Sequence, residues 1–235
     1  DPTADIEGYD ACRKIAILSS IAYNEFVNYK IIPTEGIKNI SLIDMKYAET
    51  MNSTIKLIGL SRKTKDGIYA RVGPAIVSKE MPLAGVNDVF NAIVVYGDAI
   101  GEAMFYGPGA GKFPTASAVV ADIMDAIRNK NGNKIYISSF NQLDVMDPGR
   151  AVSRFYIRLK AKDMPGVLSK ISGAFGRNNI SLSQVVQKNS VNGIAEIIMI
   201  TYEVAYQNLK LALDEMKTYP QVEEVSNVIR VEGED

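Results

Sequence analysis

Asp10 and Lys14 stand four residues apart in a segment with helical periodicity, so their side chains share one helix face. An exposed pair at this spacing contributes about 0.5 kcal/mol or less and is the ordinary occurrence. The wheel favours another reading. The stripe through Asp10 and Lys14 continues into Ile17 and Ile21, whereas Arg13, Ser20 and Asn24 mark a polar side. Charges at the top of an otherwise buried face need a partner or a pocket. A lysine held there among carboxylates can donate a proton, if its pKa is tuned.

The chain has no histidine. That removes the usual general base, the Ser-His-Asp and Cys-His pairings and the commonest zinc ligand, so no metal site is expected. Proton transfer is left to Asp, Glu, Lys, Tyr or Cys. The single cysteine, Cys12, cannot form an internal disulfide, which fits a reducing cytoplasm, and reads as a small buried hydrophobe.

A second chemical feature is Gly107-Pro108-Gly109-Ala110-Gly111, just before a helix with Pro114 in its first turn. Glycines let backbone N–H groups approach an anion closely, and a helix start favours negative charge. The run is equally an ordinary tight strand-to-helix turn. It is not the G-x-G-x-x-G dinucleotide fingerprint. A third feature is Asp163-Met164-Pro165-Gly166-Val167-Leu168 between a strand and a helix, where free N–H groups could hold a carboxylate or merely close a connection.

These features must be positioned by elements that the periodicity predicts. A helix is expected over 10–29, with Ile15, Leu18, Ala22 and Phe26 recurring at helical spacing, and another over 42–51. Strand-like runs at 54–61, 68–77, 89–96 and 103–106 read as a mostly antiparallel sheet. The helix after the glycine run carries Ala116, Val119, Val120, Ile123 and Ile127 on one side. From 154 onward the order is strand, helix, strand, strand, helix, strand, a ferredoxin-like βαββαβ unit, which makes the fold class α+β.

Composition narrows the partners. A net charge of -1 with mixed signs gives no basic face for nucleic acid. No apolar run reaches the roughly 18 residues of a membrane span. The opening Asp1-Pro2-Thr3 does not read as a leader, and the missing initiator Met suggests a start part-way through a longer protein.

The run Asp1-Pro2-Thr3-Ala4-Asp5-Ile6-Glu7-Gly8-Tyr9-Asp10-Ala11-Cys12-Arg13-Lys14 resembles the signature segment of homoserine dehydrogenases. The resemblance implies that Lys14 is the proton donor and acceptor for the substrate oxygen. It also implies that Asp10 binds and orients substrate, and that Asp5 lines the site. A further substrate-binding glutamate would lie upstream of Asp1. The implied reaction interconverts L-homoserine and L-aspartate 4-semialdehyde with NAD(P), in a cofactor domain preceding this chain. The stretch from Gly97-Asp98 through Met104-Phe105-Tyr106 to Pro114-Thr115-Ala116-Ser117 is similar to the family's second signature, which implies that Gly111 contacts the cofactor. Lys112-Phe113 departs from the smaller residues common there.

The last unit resembles an ACT domain, a module that pairs side by side and binds amino acids. Asp163, Gly166, Val167 and Leu168 are then the implied effector site, with L-threonine the usual effector. The expected layout is a substrate and catalytic domain over 1–130, a linker over 131–150 and the ACT unit over 151–235, assembled as a homodimer or higher. A non-catalytic amino-acid-sensing or dimerisation module is the rival reading.

Overall fold

The computed structural model describes residues 1–65, 67–130, 145–187 and 190–233, with the backbone alone over 139–142. Asp66 of the expected turn, much of the expected linker, Lys188 and the last two residues lie outside the described residues.

In chain order the elements are α1 (Thr3–Ile6), α2 (Tyr9–Tyr23), β1 (Glu25–Phe26), α3 (Leu42–Thr50), β2 (Ser53–Thr64), β3 (Gly67–Ser78), β4 (Phe90–Gly97), β5 (Gly101–Pro108), α4 (Lys112–Arg128), β6 (Ser139–Gln142), β7 (Val152–Lys162), α5 (Val167–Arg177), β8 (Leu182–Gln187), β9 (Ile194–Thr201), β10 (Val204–Ala205), α6 (Tyr206–Lys217) and β11 (Val222–Glu232). The first long helix is shorter than its periodicity predicts. Asn24 takes a left-handed conformation (φ 55) that ends α2, and Phe26 sits in a strand.

The α+β class holds, with a mostly antiparallel main sheet. Its order is β2-β3-β11-β7-β9-β8, with β10 beside β7. The only parallel junction on that path is β11 with β3, where Arg230, Val231 and Glu232 lie opposite Ala75, Ile76 and Val77. The βαββαβ unit therefore shares one sheet with strands from the first half. β4 and β5 stand apart as a hairpin, in register from Phe90↔Pro108 to Gly97↔Gly101.

Alternation along β7 sends Phe155, Ile157, Leu159 and Ala161 to one face, where α5 and α6 complete the largest apolar core. Tyr156 and Arg158 point to the other face, under α3. There Tyr47, Ala48, Ile76, Ile198 and Ile229 form a second core. α3 starts with a capping box in which the Ser41 hydroxyl accepts from the Asp44 N–H and the Asp44 carboxylate accepts from the Ser41 N–H.

Asp44 is fully buried and does more than cap. It accepts from Arg158 Nε at 2.7 Å, from Asn227 Nδ2 at 2.9 Å and from the Tyr156 hydroxyl at 3.1 Å. Burial alone would raise its pKa, but the hydrogen bonds from Arg158, Asn227 and Ser41 outweigh that and hold it at about 2. Arg158 also pairs with Glu196 at 3.1 Å. One buried carboxylate thus ties a helix of the first half to two strands of the second, β7 and β11, and through Arg158 to Glu196 on β9.

Candidate functional site

α1 and α2 are separated by Glu7-Gly8, and the loop after a single 3-10 turn at Tyr29–Ile31 packs beneath that joint. The Ile37 N–H donates to the Ile6 carbonyl at 2.8 Å, and Lys38 pairs with Glu7 at 2.8 Å. A Cβ on Gly36 would overlap the Ile6 carbonyl oxygen, so the two segments touch backbone to backbone. This contact fixes where α2 begins and, with it, Asp10 and Lys14.

Lys14 Nζ lies 2.8 Å from Asp10 Oδ2, and the side chains are 57% and 43% exposed. The pair forms as the spacing requires, but the expected burial of its face does not. Ile17 and Ile21 are 60% and 65% exposed, while Cys12, Ala16, Ser19 and Ser20 are buried, Ser20 also accepting from the Val27 N–H at 3.0 Å. The reason is closeness. A Cβ on Gly59 of β2 would stand 3.3 Å from Ile15 Cβ, so glycine there lets α2 approach the sheet, and Ala16 beside Ile15 fills the narrow gap. The serines satisfy their hydroxyls locally, Ser19 on the Ile15 carbonyl at 2.6 Å and Ser20 on the Ala16 carbonyl at 2.7 Å. Small self-satisfied serines inside and large isoleucines outside invert the wheel. Cys12 is buried as expected, its Sγ 3.4 Å from the Tyr29 carbonyl.

Asp5 is exposed on α1, and its carbonyl accepts from the Gly8 N–H at 3.2 Å. Asp5 and Asp10 thus flank the α1–α2 joint, with Lys14 one turn further on. Among the described residues, no hydrogen bond or ion pair joins this cluster to the glycine run.

Gly111 caps α4 with φ 119, a conformation that side chains other than glycine's rarely adopt. No side chain caps the helix, so its first N–H groups stay open to a ligand. α4 buries none of its residues, and Val119, Val120, Ile123 and Ile127 are 52–68% exposed. That apolar stripe is present as the periodicity predicts, without a surface against it among the described residues.

At the far end of β7, Asp163, Gly166, Val167 and Leu168 all line one cavity of about 400 Å³. Gly166 caps α5 in the left-handed region (φ 85), with open space where a Cβ would be. Gln187 donates to Asp163 Oδ1 at 3.0 Å. The cavity therefore offers a helix start for a carboxylate and an acidic side chain for an ammonium. The helix begins at Val167, two residues after Pro165.

Sequence reasoning missed a cluster at the seam of the two halves. Arg71, 4% exposed, pairs with Glu232, and Arg230 lies over the rings of Phe155 and Tyr206 at 5.2 and 5.0 Å. Arginines alternating with apolar residues along a strand read as a solvated face, and only the pairing of β3 with β11 brings these two together. Among the described residues, no group of three or more metal-ligating side chains converges, and no helix is long and apolar enough to cross a membrane.

Comparison with known proteins agrees with this architecture. Residues 1–124 match the homoserine dehydrogenase family model and residues 155–221 the ACT domain model. The chain is 36% identical over 250 residues to a homoserine dehydrogenase of Synechocystis sp., covering 98% of this chain and 56% of that protein. With the enzyme of Mycobacterium bovis it shares 39% over 245 residues, covering 99% and 56%. Among solved structures, a homoserine dehydrogenase from Thiobacillus denitrificans superposes with a TM-score of 0.91 at 33% identity, covering 99% of this chain and 55% of that one. One from S. aureus superposes with a TM-score of 0.70 at 28% identity, covering 99% and 55%. The chain spans about half the length of the curated relatives it matches.

Proposed function

The chain belongs to the homoserine dehydrogenase family, and from that premise we propose that it is the substrate-holding and regulatory part of an enzyme interconverting L-homoserine and L-aspartate 4-semialdehyde. The observation that carries the reading is the Asp10–Lys14 pair, held at 2.8 Å where α2 leaves the α1 joint. Below it, the outward Ile17 and Ile21 form apolar ground that a neighbouring surface would cover.

In this reading Lys14 donates a proton to the carbonyl oxygen as it becomes an alkoxide, and withdraws it in the reverse direction. Asp10 orients the lysine and, with Asp5, holds the substrate ammonium. A bound NAD(P) supplies or accepts the hydride. The open backbone at Gly111 and the uncapped start of α4 fit an edge contact with such a group, while the rest of its pocket lies on other residues. We retain the division into a catalytic domain over 1–130, a linker over 131–150 and an ACT unit over 151–235, in a cytoplasmic homodimer.

The cavity at Asp163, Gly166, Val167 and Leu168 is proposed as the effector site, with L-threonine the first candidate. Effector binding there would alter activity only if its affinity differs between two states of the enzyme.

The test is homoserine oxidation by the full-length enzyme. Lys14→Ala should lower turnover by roughly 10²–10⁴-fold, the span of general acid–base catalysis, with cofactor affinity little changed. Near wild-type turnover would end the assignment. The 235 residues alone, which carry no dinucleotide fingerprint, should show no turnover when titrated with NADPH and aldehyde.

A further inference from the structure

The face of the sheet under α5 and α6 is not covered to its end. Beyond α6, β3 presents Tyr69, Arg71 and Gly73 on that face, and β11 presents Arg230. With Tyr206 and Glu35 they enclose a cleft of about 200 Å³ between the two halves. The cleft contains donors that the protein does not use. Arg71 is 4% exposed and gives Nη2 to Glu232, yet its Nε is buried without an acceptor. Arg230 Nε is likewise buried without an acceptor, and among the described residues Arg230 pairs with no carboxylate. Burial holds the Arg230 pKa below the usual arginine value, a cost that a bound anion would relieve.

The opposite charge stands on the outer side. Glu35 is exposed, and among the described residues its carboxylate has no hydrogen-bond or ion-pair partner. A Cβ on Gly73 would meet Glu35 Cβ at 3.6 Å and Arg71 Nη1 at 3.8 Å, so bare backbone alone separates the glutamate from the guanidinium. Arg71 and Glu232 pair directly, while Arg230 and Glu35 attract each other across the cleft without a hydrogen bond or ion pair, and burial raises the Glu35 pKa, so both retain hydrogen-bonding capacity that a ligand could use.

We propose that this seam cleft, formed by Arg230, Arg71 and Glu35, binds a small zwitterionic α-amino acid, its carboxylate on the guanidiniums and its ammonium on Glu35. A lone anion would face Glu35, and a lone amine would face the arginines; a zwitterion answers both. The volume of about 200 Å³ lies below the ordinary ligand range of roughly 300–1,000 Å³, which limits the side chain to a few atoms. The cleft is separate from the cavity at Asp163, because Arg230 pairs with Phe155 near one end of β7 and Val222 pairs with Ala161 near the other. It also adjoins the α1–α2 joint, since the Glu35 carbonyl lies 3.3 Å from where a Cβ on Gly8 would stand. Occupancy would therefore bear on the start of α2.

The test is calorimetric titration of the intact protein with L-alanine, and with propionate and ethylamine, which each lack one of its charges. An Asp163→Ala background weakens any contribution of the other cavity, and heat that survives Arg230→Met is assigned to that cavity. L-Alanine should bind, and each fragment should bind roughly tenfold or more weakly, since each forfeits one charge-assisted contact. Glu35→Gln, on an exposed side chain, should weaken L-alanine by a similar factor, and Arg230→Met should abolish binding. Circular dichroism checks that Arg230→Met is folded; if it is not, Glu35→Gln and the fragments decide alone. Propionate binding as tightly as L-alanine would show a simple anion site and overturn the proposal. Binding indifferent to Glu35→Gln, or no heat from any probe, would overturn it equally, the latter leaving the cleft to ordered water.

Discussion

Two regions of the molecule, the ACT unit and the stretch from β4 to α4, handle their apolar residues in opposite ways. In the ACT unit, α5 buries Val167, Ile171, Ala174 and Phe175, α6 buries Leu209, Ala212, Leu213 and Met216, and both lie on one face of β7 and β9. In the first half, α4 buries nothing, and the β4–β5 hairpin leaves Ile93, Val95, Tyr96, Phe105 and Tyr106 exposed. Yet α4 is as clearly amphipathic in sequence as α6. The difference teaches that periodicity identifies a face to be covered and not the surface that covers it. The residues that the family resemblance assigns to catalysis all sit in the half with the uncovered faces.

The seam is where this contrast can be broken most forcefully. Asp44→Ala should destabilise the protein by about 3–5 kcal/mol, because it removes the buried carboxylate to which Arg158, Tyr156 and Asn227 all donate and leaves Arg158 only Glu196. Chemical denaturation should show both halves losing stability together; an ACT unit unfolding at its unchanged midpoint would mean that the halves are energetically separate. Pairing Asp44→Leu with Arg158→Met should recover much of the loss. The same network sets an acid limit. Asp44 is held at about 2 against an ordinary 3.8, so its contribution is present above pH 3.8 and is lost as pH falls from there through 2.

A matched pair of truncations sharpens the comparison. Ile171→Ala empties a fully buried position and should cost about 2–5 kcal/mol. Ile123→Ala, at a position 54% exposed, should change the stability of this 235-residue chain by less than about 0.5 kcal/mol. Comparable losses in the two would mean that α4 is covered in solution, as the proposed homodimer or a further domain would require. Sedimentation of the same samples separates self-association from the second of these.

The ACT cavity should show an effect on binding and none on stability. Asp163→Ala should weaken amino-acid binding by roughly tenfold, one charge-assisted contact, without altering the fold, since Asp163 is exposed. Gly166 is the poorer probe, because its φ of 85 strains any substitution whether or not a ligand binds there. Calorimetry with L-threonine on both proteins reads the difference. Equal affinity would remove Asp163 from the effector site.

Much was legible in the sequence. The βαββαβ order came from alternation and helical spacing that agree with each other across 154–231. The Asp10–Lys14 pair followed from spacing alone, and the signature around it pointed to the family that the comparisons identify. The orientation of α2 is not legible from polarity alone, because a serine hydroxyl bonded to its own helix is small enough to bury. The S-x-x-D capping box at Ser41 was readable; the second use of Asp44 as a buried anchor was not.

What the sequence determined by itself is local: which residues repeat with a period of two or near 3.6, which glycines stand at turns, and which charges lie one helical turn apart. These depend on backbone geometry within a few residues, and the chain specifies them directly. The tertiary structure alone decided that β11 lies parallel to β3 and that α3 covers the polar-looking side of β7. It decided as well that Arg71 and Arg230, 159 positions apart by their numbering, share one cleft. Those outcomes depend on which distant surface each element meets, and no period within an element encodes its neighbour.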